Sequence, residues 1–230
     1  LKEKIEKLLE EENLKFKSIS AYSSPTRLTI LIIGIDDKVK IPAKEIKGPK
    51  VGVIEDVLNS FIRAQNASKK DVFEKENDKG KFYFVKTKPK ELWAKDLLIK
   101  TVLNSMASLS WKKSMKWSNN SLMWGRPLRS ILAIFNKKHL SFSYGHLKSK
   151  DTLVIEKDLD IKFRKVKNFD EYQKFLKANK IILNQDERKK KILKRFGGIC
   201  KIKNYKENFK NKLLEEVVNI VENPNVLLIE

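Results

Sequence analysis

Residues Arg27-Leu28-Thr29-Ile30-Leu31-Ile32-Ile33-Gly34-Ile35 form a nearly unbroken apolar run. Toward its end the run is apolar on both faces, so it reads as a strand central in a sheet, with material packed on each side. Residues 15–22 read as a strand ahead of it, joined through the turn-like Ser23-Ser24-Pro25-Thr26. Residues 1–13 read as a helix with Leu1, Ile5, Leu8 and Leu9 on one face. Residues 36–52 are polar and hold Pro42, Gly48 and Pro49, which reads as loop.

The clearest helical period follows. Ile54, Val57, Leu58, Phe61 and Ile62 recur at i, i+3, i+4, i+7 and i+8, which predicts an amphipathic helix over 54–66. Ser68 with Asp71 resembles a capping box. Residues 72–76 and 81–87 flank Asn77-Asp78-Lys79-Gly80 as a hairpin would. A long helix is expected over 90–109, with Leu92, Ile99, Val102, Leu103, Met106 and Leu109 inward. Residues 128–135 and 140–144 read as strands around a short turn. In the second, Leu140, Phe142 and Tyr144 alternate with Ser141 and Ser143. The 128–135 strand looks buried on two faces, like 27–35. The two should therefore be neighbours or near neighbours in one sheet, with the helices at 54–66 and 90–109 packed on it.

A further strand is expected over 152–163. Asn168 with Glu171 caps a helix carrying Phe169, Tyr172, Phe175 and Leu176, and 181–183 is a short apolar run. Asn184 with Glu187 opens a very basic helix to about Phe196, stopped by Gly197-Gly198. A last helix over 205–221 turns Phe209, Leu213, Val217, Ile220 and Val221 inward and ends before Pro224. Residues 226–229 start a strand with no partner after it, as in a chain cut within an element. No repeat of 20–50 residues is visible. Strands and helices in irregular order, with hairpins, predict an α+β fold: a mixed sheet with packed helices, one region over 1–230 that is divisible near 150.

Composition narrows the classes. With 12 Phe, 4 Trp and 5 Tyr the chain can fill a core, which argues against wholesale disorder. Cys200 is the one cysteine, so no disulfide forms within the chain, no Cys-based zinc site is expected, and a reducing cytoplasmic setting fits. No apolar run approaches the ~18 residues of a membrane span, and the first residues do not read as a signal peptide.

Fifty basic residues against 29 acidic give a net charge of +21, which suggests a polyanionic partner. The residue types cut against this. Lys supplies 43 of the 50 and Arg 7, and Lys, Ile and Asn, all encoded by A/T-rich codons, make up 82 of the 230 residues. A dedicated phosphate reader would carry more Arg, whose planar fork holds two phosphate oxygens. Charge alone leaves two readings open: nucleic-acid contact and a solvated lysine surface.

A catalytic centre is not visible. His139 and His146 lack further ligands at metal-site spacing and read as a turn and a strand-end histidine. Cys200 has no recognisable base or oxyanion site and reads as a buried or incidental thiol. No phosphate-cradling glycine loop occurs. Glu215 and Glu216 are adjacent on a helix and do not face one another.

The informative segment is 111–129. Trp111, Lys112, Lys113, Met115, Lys116 and Trp117 are followed by Trp124, Gly125, Arg126, Pro127 and Arg129, so three of four tryptophans and two of seven arginines fall here. Interleaved basic and aromatic residues suit phosphates and unpaired bases. Equally, the tryptophans could anchor an irregular loop on the core while the cations are solvated.

At these residues the sequence resembles a known family. Lys113-x-Met115-x-Trp117 followed by Arg126-Pro127 and an apolar strand is similar to a segment of the β subunits of bacterial heterotetrameric glycyl-tRNA synthetases. Three further landmarks resemble that family in its order: Pro25-Thr26-Arg27-Leu28, Lys47-Gly48-Pro49, and Leu213-Leu214-Glu215-Glu216-Val217 with Val221-Glu222 and Pro224. The match departs in two places. The family's acidic strand ahead of the first helix is missing, and Thr152-Leu153-Val154-Ile155-Glu156 stands where a G-H-R-F-like segment is expected. Gly145-His146 comes too early to take that role. The family continues far beyond residue 230, so the chain would be its N-terminal third.

The resemblance implies a subunit of an α2β2 ligase that joins glycine to tRNA with ATP and Mg2+, in the cytoplasm and away from membranes. It places the chemistry on the α subunit, and gives β the tasks of binding tRNA and supporting α. No catalytic residue, metal or cofactor is then expected in this stretch. The fold implied is similar to the B3/B4-type domain of the β subunits of phenylalanyl-tRNA synthetases, which does not imply editing. Lys113, Lys116, Arg126 and Arg129 become candidates for tRNA phosphate contact, with Arg27 and Lys47 as additions, and Trp117 is expected to be buried. Arg126 has a second reading, as a structural partner of Glu215 or Glu216. A protein-interaction domain whose charge is compositional is the competing class.

Overall fold

The apolar run near the start of the chain does form a strand, though an outer one. A computed structural model describes residues 1–77, 80–116, 122–157, 160–206, 208 and 210–229. Helix α1 (Lys2–Glu11) buries Ile5 and Leu9 and ends where Asn13 takes a left-handed conformation. Strands β1 (Ser18–Ser24) and β2 (Arg27–Ile33) then pair antiparallel around Pro25 and Thr26, from Ser18↔Ile33 to Ser24↔Arg27. β2 pairs with β1 alone among the described residues, and its Leu28 and Ile33 are 51% and 50% exposed. The run covers its middle and gives both ends to solvent, so continuous apolarity here does not mark a central strand.

The chain divides into two compact units: Leu1–Ile35 with Leu98–Glu230, and Asp36–Leu97. The second unit opens with β3 (Lys38–Ile41) and β4 (Glu45–Lys50), inside the stretch expected to be loop. Both are strands because of partners far along the chain, from Lys50↔Phe82 to Lys38↔Trp93, which local polarity does not reveal. Helix α2 (Glu55–Ala64) packs on β4, where the Phe61 ring lies so close to Gly48 that any Cβ there would collide with it. α2 therefore belongs with β4, and not with a sheet containing β2. Ser68 and Asp71 form the expected capping box. β5 (Val72–Asn77) and β6 (Gly80–Lys86) make the expected hairpin, and the sheet order is β4-β6-β5, with a bulge between Lys47 and Lys50. β7 (Lys90–Trp93) pairs with β3, so the following helix α3 (Ala94–Ala107) starts four residues later than expected.

On α3 the fully buried stripe is Ala94, Leu97, Leu98, Thr101 and Ser105, while Ile99, Val102, Leu103 and Met106 are only half-buried. In the first unit Lys4 donates to the carbonyl of Ser108, and Lys100 pairs with Glu12 at 2.6 Å, tying α1 to α3.

Short pairs follow. β8 (Met115–Lys116) pairs with β9 (Met123–Trp124). The expected 128–135 strand breaks into β10 (Ile131–Leu132) and β11 (Ile134–Phe135). β11 turns through Asn136 and Lys137, both at positive φ, to β12 (Lys138–His139). β13 (Ser143–Tyr144) pairs with β14 (Leu147–Lys150), which also takes β10 in parallel. None of these pairs with β2, so the single mixed sheet is replaced by small sheets, antiparallel except for β10 with β14. The buried Ser149 hydroxyl holds this region together: it donates to the Leu140 carbonyl at 2.8 Å, accepts the Phe142 amide at 2.9 Å, and lies 3.1 Å from His139 Nε2.

β15 (Thr152–Lys157) and β16 (Asp160–Lys165) form a hairpin over the main core of this unit. That core joins Leu153, Ile155, Val166, Tyr172, Leu176, Ile181 and Leu183, with Tyr22 of β1 packed against it. Burying each such side chain stabilises by about 1.5–3 kcal/mol. Helix α4 (Phe169–Ala178) has the expected Asn168 cap, which accepts the Glu171 amide at 2.9 Å. Helix α5 (Gln185–Lys203) runs straight through Gly197 and Gly198 and stops at Asn204 in the left-handed region. Two glycines cost a helix about 1 kcal/mol each, too little to end one supported by neighbours. Helix α6 (Asn211–Ile220) buries Leu214 and Val218 and exposes Leu213 and Ile220, one residue out of phase with the expected stripe. Residues 226–229 form no strand. Trp117 and Phe209 lie outside the described residues.

Candidate functional site

Among the described residues of 111–129, Trp111 and Trp124 are held by aromatic packing. Trp124 is buried at the end of β9, with its ring centroid 5.0 Å from Trp111 and 6.1 Å from Tyr144. Gly125 allows the chain to pass under Trp111, because a Cβ there would come within 2.7 Å of that ring. On this anchored segment Lys112, Lys113 and Lys116 are exposed and have no partner among the described residues. The reading in which tryptophans anchor the segment and cations are solvated is met at Trp124, which is buried, and at these lysines, which reach solvent.

The arginines behave differently. Arg126 is exposed and donates from Nη1 to the Pro25 carbonyl at 2.9 Å. Its alternative partner Glu215 is instead paired with Lys189. Arg129 Nη1 is bonded to Glu156. Arg27 forms an ion pair with Glu222 at 2.8 Å, their side chains only 13% and 21% exposed, and also donates to the Val154 carbonyl at 3.2 Å. Lys47, in the second unit, holds its ammonium 3.5 Å from the centroid of the Phe82 ring.

Two further residues are central to this region: Glu222, which the sequence offered only as part of a family landmark, and Arg188, which gave no signal. Glu222 Oε1 accepts from Ser24 Oγ and Thr26 Oγ1, both at 2.6 Å, and from Arg27. Burial alone pushes the Glu222 carboxyl up, but these donors and the Arg27 charge outweigh it and hold the group below the usual carboxylate value. Arg188, on α5, is 0% exposed. Its guanidinium donates to four carbonyls, those of Ser23, Ile182, Leu183 and Val218, at 2.8–2.9 Å. Burial pushes its pKa down and the nearby Glu222 charge opposes that shift. The Ile182 amide closes the knot by donating to the Glu222 carbonyl at 2.9 Å. The spacing of Glu222 from Arg27, 195 residues, hid the pair from any local reading. The P-x-R-L and V-E-x-P landmarks are thereby brought into direct contact, and Arg126-Pro127 joins them through Pro25.

Among the described residues no group of three or more His, Cys, Asp and Glu gathers as a metal site, and no helix is long and apolar enough to cross a membrane. The geometry is that of a basic α+β body with a hydrogen-bonded internal brace. The family model described as glycyl-tRNA synthetase beta subunit matches residues 1–230. The chain is 34% identical over 224 residues to the glycine–tRNA ligase beta subunit of Rickettsia canadensis, covering 95% of this chain and 33% of that protein. The beta subunits of Rickettsia peacockii and Rickettsia prowazekii are 33% and 32% identical, with the same coverage. The chain therefore belongs to the glycyl-tRNA synthetase β-subunit family, and it spans about a third of the length of these relatives.

Proposed function

We propose that this chain is a non-catalytic, tRNA-contacting and subunit-supporting region of a glycine–tRNA ligase. In this reading the ligase works as an α2β2 assembly in the cytoplasm, and ATP, Mg2+ and the aminoacylation chemistry belong to the α subunit. The donor set here does not fit a resident Mg2+, since the described acidic groups are scattered or engaged by neighbours, as Glu222 is. No step of the reaction is routed through these residues. The fold is read as related to the B3/B4-type domain of phenylalanyl-tRNA synthetase β subunits.

The observation that carries the reading is the anchored segment with unpaired cations. Lys113 and Lys116 stand exposed, Lys116 on β8, which pairs with the strand that carries the buried Trp124. Arg126 joins them with the guanidinium donors left over from its bond to Pro25. Arg129 and Arg27 are already engaged by Glu156 and Glu222 and contribute less. Exposed Ile202, Leu213, Ile220, Leu227 and Ile229 favour a protein partner as well, read here as the α subunit.

A salt titration of tRNA binding tests the first part. Affinity should fall steeply with salt, since each phosphate contact adds about one unit to the log–log slope. Absent or salt-insensitive binding overturns it. Pyrophosphate exchange by the purified chain without α would overturn the non-catalytic assignment.

A further inference from the structure

The three-stranded sheet of the second unit has two unlike faces. One carries Ile46, Gly48, Val72 and Val85, with α2 packed on its β4 strand and Val85 fully buried. The other is fixed by the register. Lys75 and Lys50 both stand opposite Phe82, Lys47 and Phe73 both stand opposite Phe84, and Glu45 stands opposite Lys86. Residues directly opposite in an antiparallel pair point to the same side, so three phenylalanines and four lysines share this face. Phe84 lies buried between its neighbours, its ring stacked on Phe73 at 5.9 Å. Phe82 is half-buried under the Lys47 ammonium. Glu45 is the one acid in these facing positions and is held by Lys75 at 3.0 Å.

Beside Phe73 the surface opens into a cavity of about 320 Å3, lined by Phe73, Lys70, Lys86, Lys88, Pro89 and Asp71, among others. That volume lies at the lower end of the ~300–1,000 Å3 typical of ligand pockets. Lys70 and Lys86 have no partner among the described residues, and the Asp71 carboxylate is engaged by the Ser68 amide at 2.9 Å and hydroxyl at 2.7 Å. The cavity is thus cationic with one aromatic wall.

We infer that this face and cavity bind unpaired nucleotides of an RNA, the bases stacking on Phe82 and Phe73 and the phosphates bridging Lys47, Lys86 and Lys88. The chemistry follows from what each group lacks. An ammonium resting on a ring face marks an aromatic surface open to solvent, and a phosphate can draw that ammonium aside while a base takes its place. Flat stacking on an open sheet requires bases free of a duplex, so the ligand is single-stranded. The inference rests on the tRNA-contact reading for its biological ligand, and it uses none of the residues of 111–129.

The test uses the purified chain, a fluorescently labelled 12-residue oligouridine, a blunt RNA duplex and tRNA, read by anisotropy. Oligouridine should bind better than the duplex. Phe82→Leu, which keeps apolar volume and loses the ring, should weaken oligouridine binding about tenfold with an unchanged melting temperature. Lys86→Gln with Lys88→Gln should lower the salt slope by about two units, and serves if the Phe82 variant unfolds. Wild-type affinity in all these variants overturns the inference, as does preference for the duplex. If tRNA binds but ignores these variants and is not displaced by oligouridine, this site fails while the tRNA reading survives. If oligouridine binds through Phe82 and tRNA does not bind, the reverse holds.

Discussion

Two regions of this molecule handle positive charge in opposite ways. In the first unit Arg27 and Arg188 direct their guanidinium donors inward, to Glu222 and to backbone carbonyls. In the second unit the lysines of β4 and β6 lie over rings or reach solvent. The difference follows from the side chains. A planar fork with five fixed donors can satisfy several buried carbonyls at once, whereas an ammonium is strongly hydrated and stays at the surface on a flexible stem. In a chain this rich in lysine, scarce arginine marks structure as much as phosphate binding.

Removing Arg188 should break the comparison most visibly. Arg188→Ala leaves four carbonyls in three segments without their donor, and the loss is expected at about 3–5 kcal/mol. Thermal or urea unfolding measures it. A loss below about 1 kcal/mol would mean that water replaces the guanidinium easily and the brace is not one.

Arg27→Ala comes next, at about 2–3 kcal/mol, below the ~3–5 of a fully buried pair because part of Glu222 still meets solvent. Here pH offers a separate readout. The Glu222 carboxyl is held below the usual carboxylate value of about 4.5, so its contribution is present above that pH and fades as pH falls through the lowered folded value. Glu222→Gln should therefore narrow the gap to wild type on acidification below about pH 4.5. A gap that is constant with pH would show that Glu222 acts through packing or neutral hydrogen bonds alone.

Local chemistry was legible and long-range chemistry was not. The Asn168 cap, the Ser68–Asp71 box and the hairpin of β5 and β6 depend on neighbours within a few residues, and all three were readable. β3 and β7 exist because Lys38 and Trp93 pair across the unit, which a local pattern of loop-like polarity at β3 and helical period at β7 does not reveal. The glycines of α5 cost only about 1 kcal/mol each, which the helix absorbs. The apolar run of β2 misleads because hydropathy counts residues and not coverage; Leu28 and Ile33 are apolar and half exposed. At the candidate site the Trp and Lys clustering in 111–129 was visible. The Arg27–Glu222 and Arg188 contacts were not, since no local period links residues so far apart.

The lysines of 111–129 sharpen the comparison from the other side. Lys113→Gln with Lys116→Gln should leave the unfolding free energy within about 0.5 kcal/mol of wild type, since both are exposed and unpaired. The same pair should lower the salt slope of tRNA binding by about two units. An unchanged slope would return these residues to ordinary solvated surface and leave RNA contact to other cations.

Arg126 stands between the two behaviours, and its expected effect is the smallest. It is exposed like the lysines, yet it makes one inward bond, from Nη1 to the Pro25 carbonyl at 2.9 Å. That carbonyl sits in the turn whose flanking residues Ser24, Thr26 and Arg27 hold Glu222. A hydrogen bond from a charged donor at the surface is worth about 0.5–1.5 kcal/mol, and water can replace it once the side chain is gone. Arg126→Ala should therefore cost under about 1 kcal/mol, far less than Arg27→Ala. The second readout is the salt slope, which should fall by about one unit if the remaining donors meet a phosphate. Arg126→Lys separates the parts further: an ammonium keeps the charge and one donor but cannot fork between Pro25 and a phosphate. Recovery of slope without recovery of stability would assign Arg126 to RNA. Recovery of neither, after a stability loss above about 2 kcal/mol in Arg126→Ala, would move it into the internal brace with Arg27 and Arg188.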